Sequence, residues 1–379
     1  MRPLQKREGA IRLHPSLTNN WFTGESFPNT NRRYKNYVPL DYIGAQIIDF
    51  LIHTILNHTE LKFTMNYVTK DGEFFQPKNS KGNPIARTET AKFKNLSFTY
   101  FVDSGRLMLY GSLHTFYNNG SHNHNDFDSN AFAYVLKELE SIFGLLPQHL
   151  KIYYLEWGVN IKPPTDTETI LNHCIEHKRI KIVPQIKHES ANFCTAEHDE
   201  YVLKLYDKGL QNGIKNILRI EHRQTDYNKY SKKHCIGRTL QNLINSDFKG
   251  MKETLLNDWQ NVVFFDPKID RNSKEFKYAS HLFWDNLKKR SGNTYNKHRN
   301  KLKLINKRDG ANTQNKIIEL IKLKLNQMNP IKYSTWLRFP TLCIQGIRNP
   351  FTNPLLSTSF INYPILSTHY LNGVFLKVP

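Results

Sequence analysis

The chain has no run of about 18 apolar residues, the length a membrane-spanning helix needs, so no transmembrane segment is expected. Its first residues, MRPLQKREGAIRLHPSL, carry charge but no apolar stretch, so no secretory signal is expected either. Cysteine is scarce. Cys174, Cys194, Cys235 and Cys343 stand far apart and form no C-x-x-C, which argues against a disulfide framework or a structural zinc site and for reduced thiols in a cytoplasm. Acid is short as well: 33 Asp and Glu face 53 Lys and Arg, a net charge of +20. A field of that sign favours DNA, RNA or an anionic membrane surface as partner. There is no internal repeat.

What is present suffices for a sizeable core. Of 379 residues, 39% are hydrophobic, a length and composition that suggest two domains. Residues 1–43 are polar and basic, rich in Asn and Pro, and read as an extension. Residues 44–240 alternate strands and helices. Residues 241–379 are mostly helical and strongly basic, with a Pro- and Asn-rich end that yields no assignment. From Asn286 to Asn329 twelve Lys or Arg face two acids, Asp309 and Glu319, half the excess of the whole chain. Within it Lys301, Lys303, Lys307 and Arg308 precede an expected helix from about Thr313 to Met328, and they are candidate contacts to DNA phosphates.

Strands are expected at 46–52, 61–68, 150–161, 180–186, 201–207 and 216–223, with a hairpin of 95–103 and 106–117 turning at Asp103-Ser104-Gly105. Asp128 or Ser129 can cap a helix whose stripe runs from Phe132 to Phe143 and closes at Gly144. A second helix is expected over 166–177. This order predicts an α+β fold: an antiparallel sheet with helices on one face, followed by a basic helical C-terminal region.

Successive strand residues point to opposite faces, so parity sorts the polar side chains. Tyr154, Glu156 and Asn160 share a face, as do Tyr110, Ser112 and His114; Lys204, Tyr206 and Lys208; and Arg219, Glu221 and Arg223. If the four strands are neighbours, these residues form one polar platform. Two carboxylates and an imidazole suit Mg²⁺ or Mn²⁺, Tyr206 is placed to attack a phosphodiester, and Lys208 to lower its pKa or hold the phosphate. The alternative is that Glu156 and Glu221 simply pair with Arg219 and Arg223 on a solvated sheet face. The loop GSHNHNDF (120–127) supplies His122 and His124 as metal ligands or, the favoured reading, turn and capping residues for the next helix. His173 and His177, at helical spacing, lack a third ligand. Tyr227 and Tyr230 are rival tyrosines on an expected helix.

At these residues the chain resembles the gene II type replication initiators of filamentous phages and the related rolling-circle plasmid initiators. The resemblance runs in order through IIDFLI, KFKNLSFTYF and LMLYGSLHTFYN, GSHNHNDF, IYYLEWGVNI, VLKLYDKG and ILRIEHR, over about residues 45–240. It implies a diverged histidine-hydrophobic-histidine endonuclease fold and nicking and religation of one origin strand through a covalent 5′-phosphotyrosine. Carried over, Tyr206 matches the nucleophile, Glu156 and Glu221 the metal acids, and His114 and His124 histidines that are candidate ligands of Mg²⁺ or Mn²⁺. Lys208 joins Tyr206 in catalysis, and Lys204, Arg219 and Arg223 face the DNA. Thr115 stands where relatives often have Lys, and Glu156 where Asp is common. The expected partners are origin DNA, double- and single-stranded, a host helicase and polymerase, and no membrane. A conjugative relaxase shares the chemistry. A non-catalytic origin- or operator-binding protein shares only the basic surface, and an RNA-binding module lacks support because no RRM-type aromatic consensus is present.

Overall fold

The computed structural model describes residues 37–68, 76–79, 82–186, 192–210, 213 and 216–326. The chain begins with β1 (Leu40–Ile47), α1 (Ile52–Leu56), β2 (Thr64–Met65), β3 (Thr88–Phe93), β4 (Leu96–Phe101), β5 (Arg106–Ser112), α2 (Leu113–Tyr117) and α3 (Ser129–Phe143). It continues through β6 (Leu150–Ile161), α4 (Thr167–Asn172), β7 (Cys174–His177), β8 (Ile180–Lys181), β9 (Val183–Ile186), β10 (Asn192–Glu197), β11 (Tyr201–Asp207) and β12 (Leu218–Gln224). Then follow α5 (Tyr227–His234), α6 (Leu240–Asn245), α7 (Met251–Asn261), β13 (Val262–Phe264), α8 (His281–Lys288), α9 (Gly292–Arg308) and α10 (Thr313–Leu325).

Among the described residues ten strands form one sheet in the order β2-β3-β4-β5-β1-β6-β12-β11-β10-β9, every adjacent pair antiparallel. The long strand β6 sits near its middle because its alternation buries Leu155, Trp157 and Val159 on one face and leaves Tyr154, Glu156 and Asn160 on the other. Helices cover the apolar face. Phe143 of α3 packs on Phe98 of β4, ring centroids 5.0 Å apart, and Tyr230 of α5 on Trp157, 5.1 Å apart. Helix α3 starts where the Asp128 side chain accepts from the Ala131 amide at 2.9 Å and stops at Gly144, whose φ of +66° is left-handed. The expected α+β architecture and its helical basic C-terminal region are thus what the chain forms.

Helices α7 and α10, both beyond residue 240, also pack on β6 or β12, and Trp259 Nε1 donates to the Gln314 carbonyl at 3.1 Å. The three-stranded sheet β13-β7-β8 and helices α8 and α9 enclose a second core around Ile175, Phe265, Tyr278, Trp284 and Tyr295. Among the described residues no helix is long and apolar enough to cross a membrane.

Several expected boundaries move. The first strand is Leu40–Ile47, and the stretch expected as strand over 46–52 turns instead into a 3-10 turn and α1. Leu40, Ile43, Ala45 and Ile47 alternate toward the core, so the pattern begins inside what reads as the extension, whose residues 1–36 lie outside the described set. Of 61–68 only Thr64–Met65 is a named strand. The second hairpin strand ends at Ser112, where the Ser112 Oγ accepts from the Thr115 amide at 3.0 Å and caps α2. His114 therefore sits on a helix. The helix expected over 166–177 stops at Asn172, and His177 lies in β7.

Candidate active site on the polar face of the sheet

Register brings the predicted polar residues into rows. Asn160 pairs with Arg219 and Arg219 with Tyr206; Gly158 with Glu221 and Glu221 with Lys204; Glu156 with Arg223. Paired residues share a face, so parity places Tyr206, Lys204, Arg219, Glu221, Arg223 and Glu156 together. Gly158 makes room for this: a Cβ there would lie 2.7 Å from the Ile220 carbonyl and 3.2 Å from the Arg219 guanidinium.

Arg219, only 2% exposed, is the hub. Its Nε donates to Glu221 Oε2 at 2.8 Å, its Nη2 to Asp41 Oδ2 at 2.7 Å and its Nη1 to Asn160 Oδ1 at 3.1 Å. The Tyr206 hydroxyl donates to the same Glu221 Oε2 at 3.1 Å. Lys204 Nζ stands 3.7 Å from Glu221 Oε1, an oxygen that is buried with no hydrogen bond. The ammonium groups of Lys204 and Lys208 lie over the Tyr206 ring, 4.6 and 5.5 Å from its centroid. Three cations thus surround one phenol and two buried carboxylates.

Asp41 is the residue that sequence reasoning misses. A register shift between Leu40 and Tyr42 lets its carboxylate reach Arg219, accept from Ser112 Oγ at 2.5 Å and accept from Asn123 Nδ2 at 2.9 Å. The signal was an isolated acid inside the apolar alternation of VPLDYIGAQI, visible only once the strand is moved toward the N-terminus. Asn123, from the GSHNHNDF loop, also accepts a hydrogen bond from Lys208. Asn125 of that loop accepts from His114 Nε2 at 2.7 Å, and His114 stacks on Phe127. The loop is therefore a polar brace that ties β1, β11 and α2 together, ahead of the Asp128 cap.

Charge follows this packing. Burial, then the charge of Glu221, pushes the Tyr206 phenol well above its ordinary value, and Arg219 offsets only part. The net shift is upward rather than down, because a phenol 5% exposed loses more by desolvation than Arg219 returns. Burial opposes the charge of Glu221 too, but Arg219 and Lys204 outweigh it and hold the carboxyl at about 2. Burial and then Arg219 lower the Lys208 ammonium to about 8. Burial and then Glu221 raise Glu156 to about 7, with Arg223 offsetting part. Burial holds the His114 imidazole at about 4.

The expected metal set is not assembled. Glu221 is taken by Arg219 and Tyr206. Glu156 is taken by Arg223, at 2.7 Å, and by the Tyr154 hydroxyl. His114 is bound to Asn125, and His124 lies with its ring 4.1 Å from that of His122. Among the described residues no group of three or more His, Cys, Asp or Glu side chains is placed to hold a metal ion. The rival tyrosines are on the other side of the sheet: Tyr230 packs on Trp157, Tyr227 on Tyr230, and the Tyr230 hydroxyl donates to the Lys249 carbonyl at 2.9 Å. Lys301, Lys303, Lys307 and Arg308 are exposed on α9.

No protein-family model and no curated protein matches the chain. Among solved structures, a rolling circle replication initiator protein from Geobacillus stearothermophilus is 13% identical, with a TM-score of 0.35 over 65% of this chain and 93% of that one. A di-domain ARO/CYC protein, StfQ, from the steffimycin biosynthetic pathway is 7% identical, with a TM-score of 0.17 over 58% of this chain and 95% of that one.

Proposed function

We propose that the chain is a tyrosine-dependent DNA strand transferase that nicks and rejoins one strand of a replicon origin to start rolling-circle replication. The observation that carries this reading is the Tyr206 phenol, hydrogen-bonded to Glu221 Oε2 and ringed by Arg219, Lys204 and Lys208. A phosphodiester brought to this face meets cations already fixed in place, which is the arrangement that stabilises charge developing on phosphoryl oxygens. Tyr206 Oη attacks phosphorus, the P–O3′ bond breaks with the leaving 3′ oxygen taking a proton from solvent, and the 5′ phosphate stays on the tyrosine. A buried phenol is silent as a free nucleophile. As the O–P bond forms, its proton becomes strongly acidic, and Glu221 Oε2 at 3.1 Å is the acceptor. The phosphotyrosine keeps the bond energy, so the released 3′ hydroxyl can reseal the strand.

The reading carries a Mg²⁺ or Mn²⁺ requirement, the ion serving to polarise the scissile phosphate. Mg²⁺ is commonly held by one or two carboxylates together with substrate phosphates, and loss of nicking on titration with EDTA is the expected sign of the requirement. Incubation with the supercoiled DNA of its own replicon and Mg²⁺ should yield nicked circles bearing the protein on a 5′ end. The burial of Tyr206 favours a second reading, a non-catalytic origin-binding protein. Tight, specific origin binding with no nick and no adduct under any divalent ion is the outcome that selects it.

A further inference from the structure

The polar face continues well past the Tyr206 site. Asn160 of β6 is level with Tyr206 through Arg219, and Tyr154 stands six residues earlier on the same strand, about 20 Å away at the usual strand rise. Gly44 of β1 pairs with both Tyr154 and Tyr110, so these two rings share the polar face with Tyr206 but not its site. A Cβ at Gly44 would lie 3.0 Å from Tyr110 Cε1 and from Tyr154 Cβ, so glycine is what lets both side chains close over β1. Tyr42 meets the Tyr154 ring edge-on at 5.7 Å. The register shift that sets Ile152 opposite Ala45 leaves Tyr153 as an extra residue, and its hydroxyl donates to Gln46 Oε1 at 3.1 Å on this same face. All four tyrosines are half-buried. Cations stand among them. Arg238 Cζ lies 4.7 Å and Lys151 Nζ 5.8 Å from the Tyr153 ring centroid, and exposed Arg106 shares the Tyr110 face of β5. Arg238 Nε is buried with no hydrogen bond. The carboxylate beside them, Glu156, is already held by Arg223.

We infer that this aromatic patch is a stacking platform for unpaired DNA bases, holding a single strand several nucleotides from the phosphate that Tyr206 attacks. The inference deepens the strand-transferase reading and rests on it for the place of that phosphate. The tyrosines offer ring faces on which bases of any sequence stack, and Arg106, Lys151 and Arg238 offer phosphate contacts between them. The charge is complementary to a polyanion: three cations stand beside one acid, and Arg223 neutralises that acid. A duplex gains nothing from such rings, because its bases are stacked on one another and show only their edges in the grooves. Covering Gly44 accounts for Tyr110 and Tyr154 as packing, and leaves Tyr153 and the cations around it to the strand. A strand anchored here stays in register at Tyr206 before the cut.

The test is the fluorescence anisotropy of end-labelled oligothymidylate, and of its duplex with oligoadenylate, titrated with the full chain. Tyr110→Leu and Tyr153→Leu should each weaken single-strand binding roughly tenfold through the loss of one stacked base, and leave duplex binding unchanged. Tyr110→Phe and Tyr153→Phe keep the ring and should bind as the wild type does. Lys151→Gln, which leaves every ring in place, should flatten the slope of log K against log salt concentration for the single strand by about 0.7. Unaltered single-strand affinity in both Leu variants overturns the inference. So does an equal loss in the Leu and Phe variants, an equal loss for single strand and duplex, or an unchanged salt slope in Lys151→Gln. Tighter, ring-dependent binding of oligouridylate than of oligothymidylate gives the platform to RNA and overturns it as well. None of these measurements needs cleavage. A wild type that forms no adduct yet shows the expected pattern loses the strand-transferase reading and keeps the platform.

Discussion

Arg219 is the residue on which the polar face depends. Replacing it with Met would leave Asp41 buried without its ion pair and Glu221 with only Lys204, at 3.7 Å, and breaking such a buried pair from one side costs about 3–5 kcal/mol. Arg223 makes a comparable pair with Glu156 at a site about one-third exposed, where solvent screening reduces the loss on Arg223→Gln to about 1 kcal/mol or less. Urea unfolding of the two variants should show that ordering; equal losses would mean Arg219 is not the hub. His114 sets an acid limit. Its folded-state value of about 4 lies below the ordinary 6.5, because burial disfavours the charged ring. The unfolded chain therefore takes up the proton first, so stability that is complete above pH 6.5 is lost as pH falls toward 4, by a few kcal/mol at the order of magnitude. His114→Gln should flatten that slope in urea melts at pH 7 and 4.5, and an unchanged slope would place the acid lability elsewhere.

At the scale of elements, strand parity carries most of what can be read from the sequence alone. β6 and β11 are legible at their ends, and β11 and β12 alternate so that Tyr206, Lys204, Arg219 and Glu221 share one face, whereas in β6 a register shift at Tyr153–Tyr154 breaks the period. α3 is equally legible through its Asp128 and Gly144 caps. β1 is hidden because its register shift breaks the period at Leu40–Tyr42, which conceals Asp41 as well. α2 is hidden because Leu113, Thr115 and Tyr117 continue a strand-like pattern, and only the Ser112 cap turns the chain. For the metal set, parity places Glu156 and Glu221 on one face and leaves open whether a metal or the neighbouring arginines hold them; the arginines do, Arg223 on Glu156 and Arg219 on Glu221. The basic helix α9 belongs to this scale too. Its exposed Lys301, Lys303, Lys307 and Arg308 should contact duplex phosphates and add affinity more than sequence choice. Changing all four to Gln should flatten the slope of log K against log salt concentration for duplex binding. An unchanged slope would make this face merely solvated.

At the scale of the whole molecule, a net charge of +20 favours encounter with any polyanion and cannot by itself distinguish a binder from an enzyme. The polar face can. A covalent mechanism needs one particular oxygen, and Tyr206→Phe removes it while costing about 1.5–3 kcal/mol from the lost hydrogen bond to the Glu221 carboxylate. Folding and origin binding should therefore survive the substitution. The most direct measurement is a denaturing gel of wild type and Tyr206→Phe after incubation with supercoiled replicon DNA and Mg²⁺. The account predicts a nicked product and a protein–DNA adduct with the wild type and neither with Tyr206→Phe. An adduct undiminished in Tyr206→Phe, or none in the wild type with origin binding intact, would contradict it.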